Sequence, residues 1–132
     1  MSTQPDKNSP ADGRKGTILI VDDHPVNIRL LEKILDAGGY RTLAAENGPE
    51  GRKLAASRLP DLILLDIMMP GESGFESCEK LKKDPQTAHI PVVFLSAKTD
   101  TESKVTGLTL GAVDYMTKPF DKKEVLARVG RH

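Results

Sequence analysis

The sequence predicts an α/β domain in which a parallel sheet of five strands is covered by helices on both faces. Three observations carry that prediction: short apolar runs recur along the 132 residues, helix-patterned segments separate them, and three of the runs stop abruptly at a polar side chain. Alternating strands and helices imply right-handed crossovers, which place the carboxyl ends of all strands along one edge. In open α/β sheets the ligand crevice lies at that edge.

Residues 1–16 are polar, rich in Pro, Asp, Lys and Ser, and lack the apolar stretch of a secretory signal, so they read as a disordered leader or cloning remnant. The domain is expected over 17–132. Thr17-Ile18-Leu19-Ile20-Val21 is an apolar, β-branched run closed by Asp22-Asp23, the pattern of a strand buried on both faces. A helix follows over Pro25–Ala37, with Pro25 suited to its first turn and Gly38-Gly39 to its end. Within it Val26, Leu30 and Ile34 share a face, with Leu31 and Leu35 beside them. The second strand, 41–45, is poor in bulky residues and belongs at a sheet edge. A helix over 49–57 leads to the third strand, 62–65, which ends at Asp66. The next helix, 75–83, is stopped by Asp84-Pro85, and the fourth strand, 92–95, ends at Ser96. A helix over 101–110 ends at Gly111, a fifth strand covers 112–115, and a last helix begins near Asp121.

Composition narrows the function. Lys plus Arg and Asp plus Glu number 19 each, so no net charge draws the chain to nucleic acid or to an anionic membrane. No apolar run approaches the roughly 20 residues of a membrane-spanning helix. Cys78 stands alone and cannot form an internal disulfide; it reads as a small buried group on its helix. One cytoplasmic domain fits these features.

The chemistry stands at the strand ends. Asp22 and Asp23 follow the first strand, Asp66 the third, Ser96 the fourth and Lys118 the fifth. Three carboxylates on one rim raise one another's pKa and repel unless a cation joins them. Oxygen ligands with room for water favour Mg2+, with Mn2+ as a substitute, and the residues offer no His and Cys set for zinc. His24, beside the acidic pair, reads as a surface residue with a modest effect on metal affinity. Taken singly, each group has an ordinary explanation: Asp22 and Asp23 as helix caps, Ser96 as a turn residue, Lys118 as a solvated lysine. Their joint placement favours a site.

Asp22-Asp23, Asp66 within Asp-Ile-Met-Met-Pro-Gly, Ser96-Ala97-Lys98 and Lys118-Pro119-Phe120 together resemble the response regulator receiver family of two-component signalling. The resemblance implies a (βα)5 doubly wound, flavodoxin-like fold with strand order 2-1-3-4-5. It implies that Asp66 is the phosphoacceptor, attacking a phosphohistidine of a histidine kinase or histidine phosphotransfer protein. Such a domain is not a conventional enzyme: it catalyses its own phosphorylation and a slow autodephosphorylation. The metal ligands implied are Asp23 and Asp66, Asp22 directly or through water, and the backbone carbonyl of Met68. Ser96 and Lys118 would hold phosphoryl oxygens, and the Lys118-Pro119 bond would be cis. Ser96 and Tyr115 would form the switch, reshaping the face of the fourth helix, fifth strand and fifth helix to control an output domain or partner, with dimerisation compatible.

The sequence departs from the family in Glu72-Ser73, where a hydrophobic residue and Asp are common, and in a last helix that stops by His132, as if cut from a longer protein. A haloacid dehalogenase-type hydrolase would need an acid two residues after Asp66, where Met68 stands, and a dinucleotide-binding domain would need a Gly-rich turn in place of Asp22-Asp23-His24-Pro25.

Overall fold

The computed structural model describes residues 14–96, 106 and 109–132. The helix expected over 101–110 therefore lies outside the described residues except at its C-terminal end, where Thr106 and Thr109 are helical and the Leu110 N–H donates to the Thr106 carbonyl at 3.0 Å. Residues 1–13 also lie outside, whereas Arg14 and Lys15 dock onto the turn after the first helix, donating to the carbonyls of Tyr40 and Gly39 at 2.8 and 2.7 Å.

Five parallel strands, β1 (Thr17–Val21), β2 (Arg41–Ala45), β3 (Leu62–Asp66), β4 (Val92–Ser96) and β5 (Asp114–Thr117), form one sheet in the order β2-β1-β3-β4-β5. The described helices are α1 (Pro25–Ala37), α2 (Gly48–Arg58), α3 (Gly74–Lys83) and α4 (Lys122–Arg131). Every residue of β1, β3 and β4 is buried, and alternate side chains enter two separate cores. Leu19, Val21, Ile63, Leu65 and Phe94 meet Ala55 of α2 and Cys78 and Leu81 of α3. Ile18, Ile20, Leu64, Val93 and Leu95 meet α1 and α4 through Leu31, Leu35, Val125 and Val129. Two covered faces are why these strands read as unbroken apolar runs. β2 lies at the edge, as its composition predicts.

Helix starts move by one residue where caps act. Asn47 accepts from the Glu50 N–H at 2.8 Å, opening α2 at Gly48, and a capping box between Ser73 and Glu76 opens α3 at Gly74.

One expectation is corrected. The fifth strand runs Asp114–Thr117, not 112–115: Ala112 packs into the core ahead of the strand, and pairing with β4 begins at Val93 opposite Asp114. A strand opened by Asp is poorly visible in a pattern of apolar residues. Here Asp114 is held by Arg128 at 2.7 Å and His132 at 3.2 Å, which compensate its carboxylate. In α1 the buried residues are Ile28, Leu31, Ile34 and Leu35, whereas Val26 and Leu30 are 67% and 41% exposed. Leu31, Ile34 and Leu35 turn toward the sheet together with Ile28, whereas Val26 and Leu30 on the neighbouring stripe face outward.

Candidate functional site

The register of the sheet brings the carboxyl ends of β1, β3, β4 and β5 together, and with them Asp22, Asp66, Ser96 and Lys118. Asp22 is fully buried and well supplied with donors. Its Oδ1 accepts the His24 N–H at 2.9 Å, its Oδ2 accepts from Asn27 Nδ2 at 3.2 Å, and Lys118 Nζ lies 3.7 Å from Oδ2. Asp66 is 2% exposed, and Lys118 Nζ donates to its Oδ1 at 3.1 Å. Neither Asp66 Oδ2 nor Asp23 Oδ1 has a hydrogen-bond partner among the described residues, although both atoms are buried.

Burial, reinforced by the charge on Asp22 and opposed by Lys118, raises the Asp66 pKa to about 6. One lysine does not compensate three carboxylates in a partly dehydrated rim. The capping explanation for Asp22 and Asp23 is excluded, because the N-cap of α1 is His24 and no side chain caps that end.

Ser96 is buried, and its hydroxyl donates to the Met116 carbonyl at 3.5 Å, across the sheet toward β5. Tyr115 lies opposite Phe94 in the ladder, half-buried, with the Arg128 guanidinium 5.7 Å from its ring centroid. The backbone N–H of Lys118 donates to the Ser96 carbonyl at 2.9 Å, and the Lys118–Pro119 bond is cis. Together these contacts put the lysine directly at the end of the ladder. Met69 packs in the core, whereas the Met68 side chain, two residues past Asp66, is 74% exposed.

Residues 18–130 match the family model of the response regulator receiver domain. The chain belongs to that family. It is 50% identical over 112 residues to the response regulator PleD of Caulobacter vibrioides, covering 85% of this chain and 25% of PleD. It is 43% identical to the protein PilH of Pseudomonas aeruginosa over 85% of this chain and 93% of PilH. The chemotaxis protein CheY4 of Vibrio cholerae has the same fold, with a TM-score of 0.82 and 29% identity over 87% of this chain and 96% of that one. The chain thus spans only a quarter of PleD but nearly all of PilH.

Receiver domains bind Mg2+ at an acidic site, and this receiver's residues fit one: the two buried oxygens without a hydrogen bond among the described residues belong to carboxylates of different strand ends, and ligand atoms of Asp22, Asp23, His24 and Asp66 lie within 4.8 Å of one another.

Three contacts of the receiver depend on the tertiary structure. The His24 ring reaches the acidic pair, with Nδ1 3.3 Å from Asp22 Oδ1 and 3.2 Å from Asp23 Oδ1. Its position beside the pair was the only signal. Gly74 packs against the phosphosite loop so closely that a Cβ there would overlap the Asp66 carbonyl and sit 2.8 Å from Ile67 Cα. Glu72 is nearly buried among Arg52, Ser77 and Lys80, and its long-range partner, 20 residues away, has no periodic signature.

Proposed function

We propose that this receiver takes a phosphoryl group from a phosphohistidine onto Asp66. An Asp66 carboxylate oxygen attacks phosphorus, the P–N bond breaks, and the imidazole leaves as the acyl phosphate forms. Asp23 and Asp66 would hold Mg2+ directly, Asp22 through water because its oxygens already accept from His24 and Asn27, and the Met68 carbonyl would add a ligand. The bound ion supplies charge neutralisation on the phosphoryl oxygens. Lys118, already 3.1 Å from Asp66, carries the other compensating charge. The Ser96 hydroxyl, which makes a long bond to the Met116 carbonyl, would turn and donate to the phosphoryl group.

Movement of Ser96 would open space for Tyr115 to turn inward, shifting the face of the segment over 101–110, β5 and α4 between two packings. That face would address an output domain or partner, with or without dimerisation. The donor would be a histidine kinase or histidine phosphotransfer protein in the cytoplasm, and the exposed Val26 and Leu30 on α1 offer it an apolar contact. No helix among the described residues is long and apolar enough to cross a membrane.

The observation that carries this reading is the lysine-bound Asp66 carboxylate whose other oxygen, buried beside that of Asp23, has no hydrogen-bond partner among the described residues. Intact mass after incubation with acetyl phosphate tests it. A Mg2+-dependent, base-labile adduct in the wild type and none in Asp66→Asn is expected. No adduct on a folded, metal-binding wild type would leave a module that binds partners regardless of phosphorylation.

A further inference from the structure

We propose that His24 is a metal ligand of this receiver, its Nδ1 joining Asp23 and Asp66 in a mixed nitrogen and oxygen site that shifts preference from Mg2+ toward divalent transition ions. The proposal rests on the acidic rim being a metal site at all, and it goes beyond it in naming the ion class and the residue that selects it.

Geometry comes first. His24 is the N-cap of α1, in extended conformation, with its backbone N–H fixed by Asp22 at 2.9 Å. Its side chain makes no cap bond, so the ring is not engaged in stabilising the helix. The ring is 63% exposed, yet it is laid over the acidic pair, with Nδ1 3.2 Å from Asp23 Oδ1. That oxygen nevertheless accepts no aligned hydrogen bond among the described residues. Nitrogen and oxygen therefore sit side by side. Two ligands at right angles around an ion with bonds of about 2.1 Å are about 3.0 Å apart, close to this spacing.

A second observation points into the same space. Asp66 is almost wholly buried, and its Oδ2 is without a partner among the described residues while Oδ1 is held by Lys118. Its ligand atom lies within 4.8 Å of those of Asp23 and His24. The carboxylate that carries this unpartnered oxygen thus belongs to the same cluster as the imidazole.

Chemistry then selects the ion. Mg2+ is hard, prefers oxygen and retains its waters, so the imidazole adds little to its binding. Mn2+ and Co2+ accept the same octahedral oxygen set and bind imidazole as well, with affinities that rise along the first row. A ring serving only as hydrogen-bond partner to the two carboxylates would instead affect all divalent ions alike.

Titration of Co2+, Mn2+ and Mg2+ into the wild type, His24→Leu and Asp66→Asn separates these cases, counting only binding that Mg2+ displaces so that His89 and His132 do not contribute. Loss of His24 should weaken Co2+ about tenfold or more while Mg2+ changes less than about threefold. Pulsed electron paramagnetic resonance of the Mn2+ complex should show nitrogen modulation in the wild type and none in His24→Leu. Circular dichroism confirms that the variant, altered at an exposed position, is folded. Equal weakening of Co2+ and Mg2+, unchanged Co2+ affinity, or no nitrogen modulation in the wild type overturns the role of His24 while leaving the metal site intact. Absence of any Mg2+-displaceable binding in the wild type overturns the metal site itself, and the inference with it.

Discussion

Two acidic centres flank the β3–α3 loop, and they are built in opposite ways. At Glu72 the carboxylate is almost buried but fully matched: Arg52 donates through Nε and Nη2 at 2.8 and 2.9 Å, Ser77 through its hydroxyl at 2.6 Å and Lys80 at 2.9 Å. Arg52 and its companions hold the Glu72 pKa down to about 2. At Asp66, a few residues earlier, burial and a neighbouring carboxylate push the pKa up to about 6, and one oxygen has no partner among the described residues. The first centre joins α2, the loop and α3 into a rigid unit. The second is left short of positive charge, which is a cost to folding and an opening for an incoming ion.

The contrast fails if Asp66→Asn behaves like a structural mutation. We expect this nearly isosteric change to abolish phosphoryl uptake by intact mass, while urea unfolding of the metal-free protein shows equal or greater stability, by up to about 1 kcal/mol, because a like charge has been removed. A marked loss of stability would place Asp66 with Glu72 as part of the framework.

Lys118→Met probes the cation that pairs with Asp66. Acetyl phosphate uptake should slow by about 100-fold, as when a group stabilising developing charge is removed. An unchanged rate would mean that the 3.1 Å pair with Asp66 serves only the resting protein.

Metal should stabilise one centre and not the other. Mg2+ at about 100 times its dissociation constant should add about 2.7 kcal/mol to the wild type in urea unfolding, nothing to Asp23→Asn, and the full amount to Glu72→Gln. A reduced gain in Glu72→Gln would show that the clasp also sets the metal site through the loop that both share.

The smallest expected effect is at the matched centre. Glu72→Gln should cost about 1–3 kcal/mol, since it leaves Arg52 and Lys80 without their anion, with phosphoryl uptake retained. Because the folded pKa is depressed, the unfolded chain binds a proton that the folded one does not as pH falls from about 4.5 to about 2. Glu72 therefore contributes stability above that window and loses it within it, so the acid unfolding curve of Glu72→Gln should be flatter there than that of the wild type.

Much of this molecule is written locally. β1, β3 and β4 are legible because burial on two faces demands unbroken apolar runs, and the strand-end acids stand out because Asp is unusual beside them. The capping signals Asn47 and Ser73 could have placed α2 and α3 to the residue. β5 was displaced by two positions because Asp114 is tolerated in a strand only when α4 brings Arg128 against it. In α1 apolar residues occupy more than one stripe, and only docking on the sheet decides that Leu31, Ile34 and Leu35 are covered while Val26 and Leu30 stay exposed.

What the sequence determined by itself was therefore the class of fold, the order of its elements and the chemistry at the strand ends, all of which depend on residue type and short-range period. Tertiary structure alone decided which buried carboxylate oxygens lack a hydrogen bond among the described residues, that the His24 ring lies over Asp23, and that Glu72 closes on Arg52. The physical reason is that hydrophobic period is a property of neighbours along the chain, whereas the compensation of a buried charge depends on groups that meet only when the helices have packed.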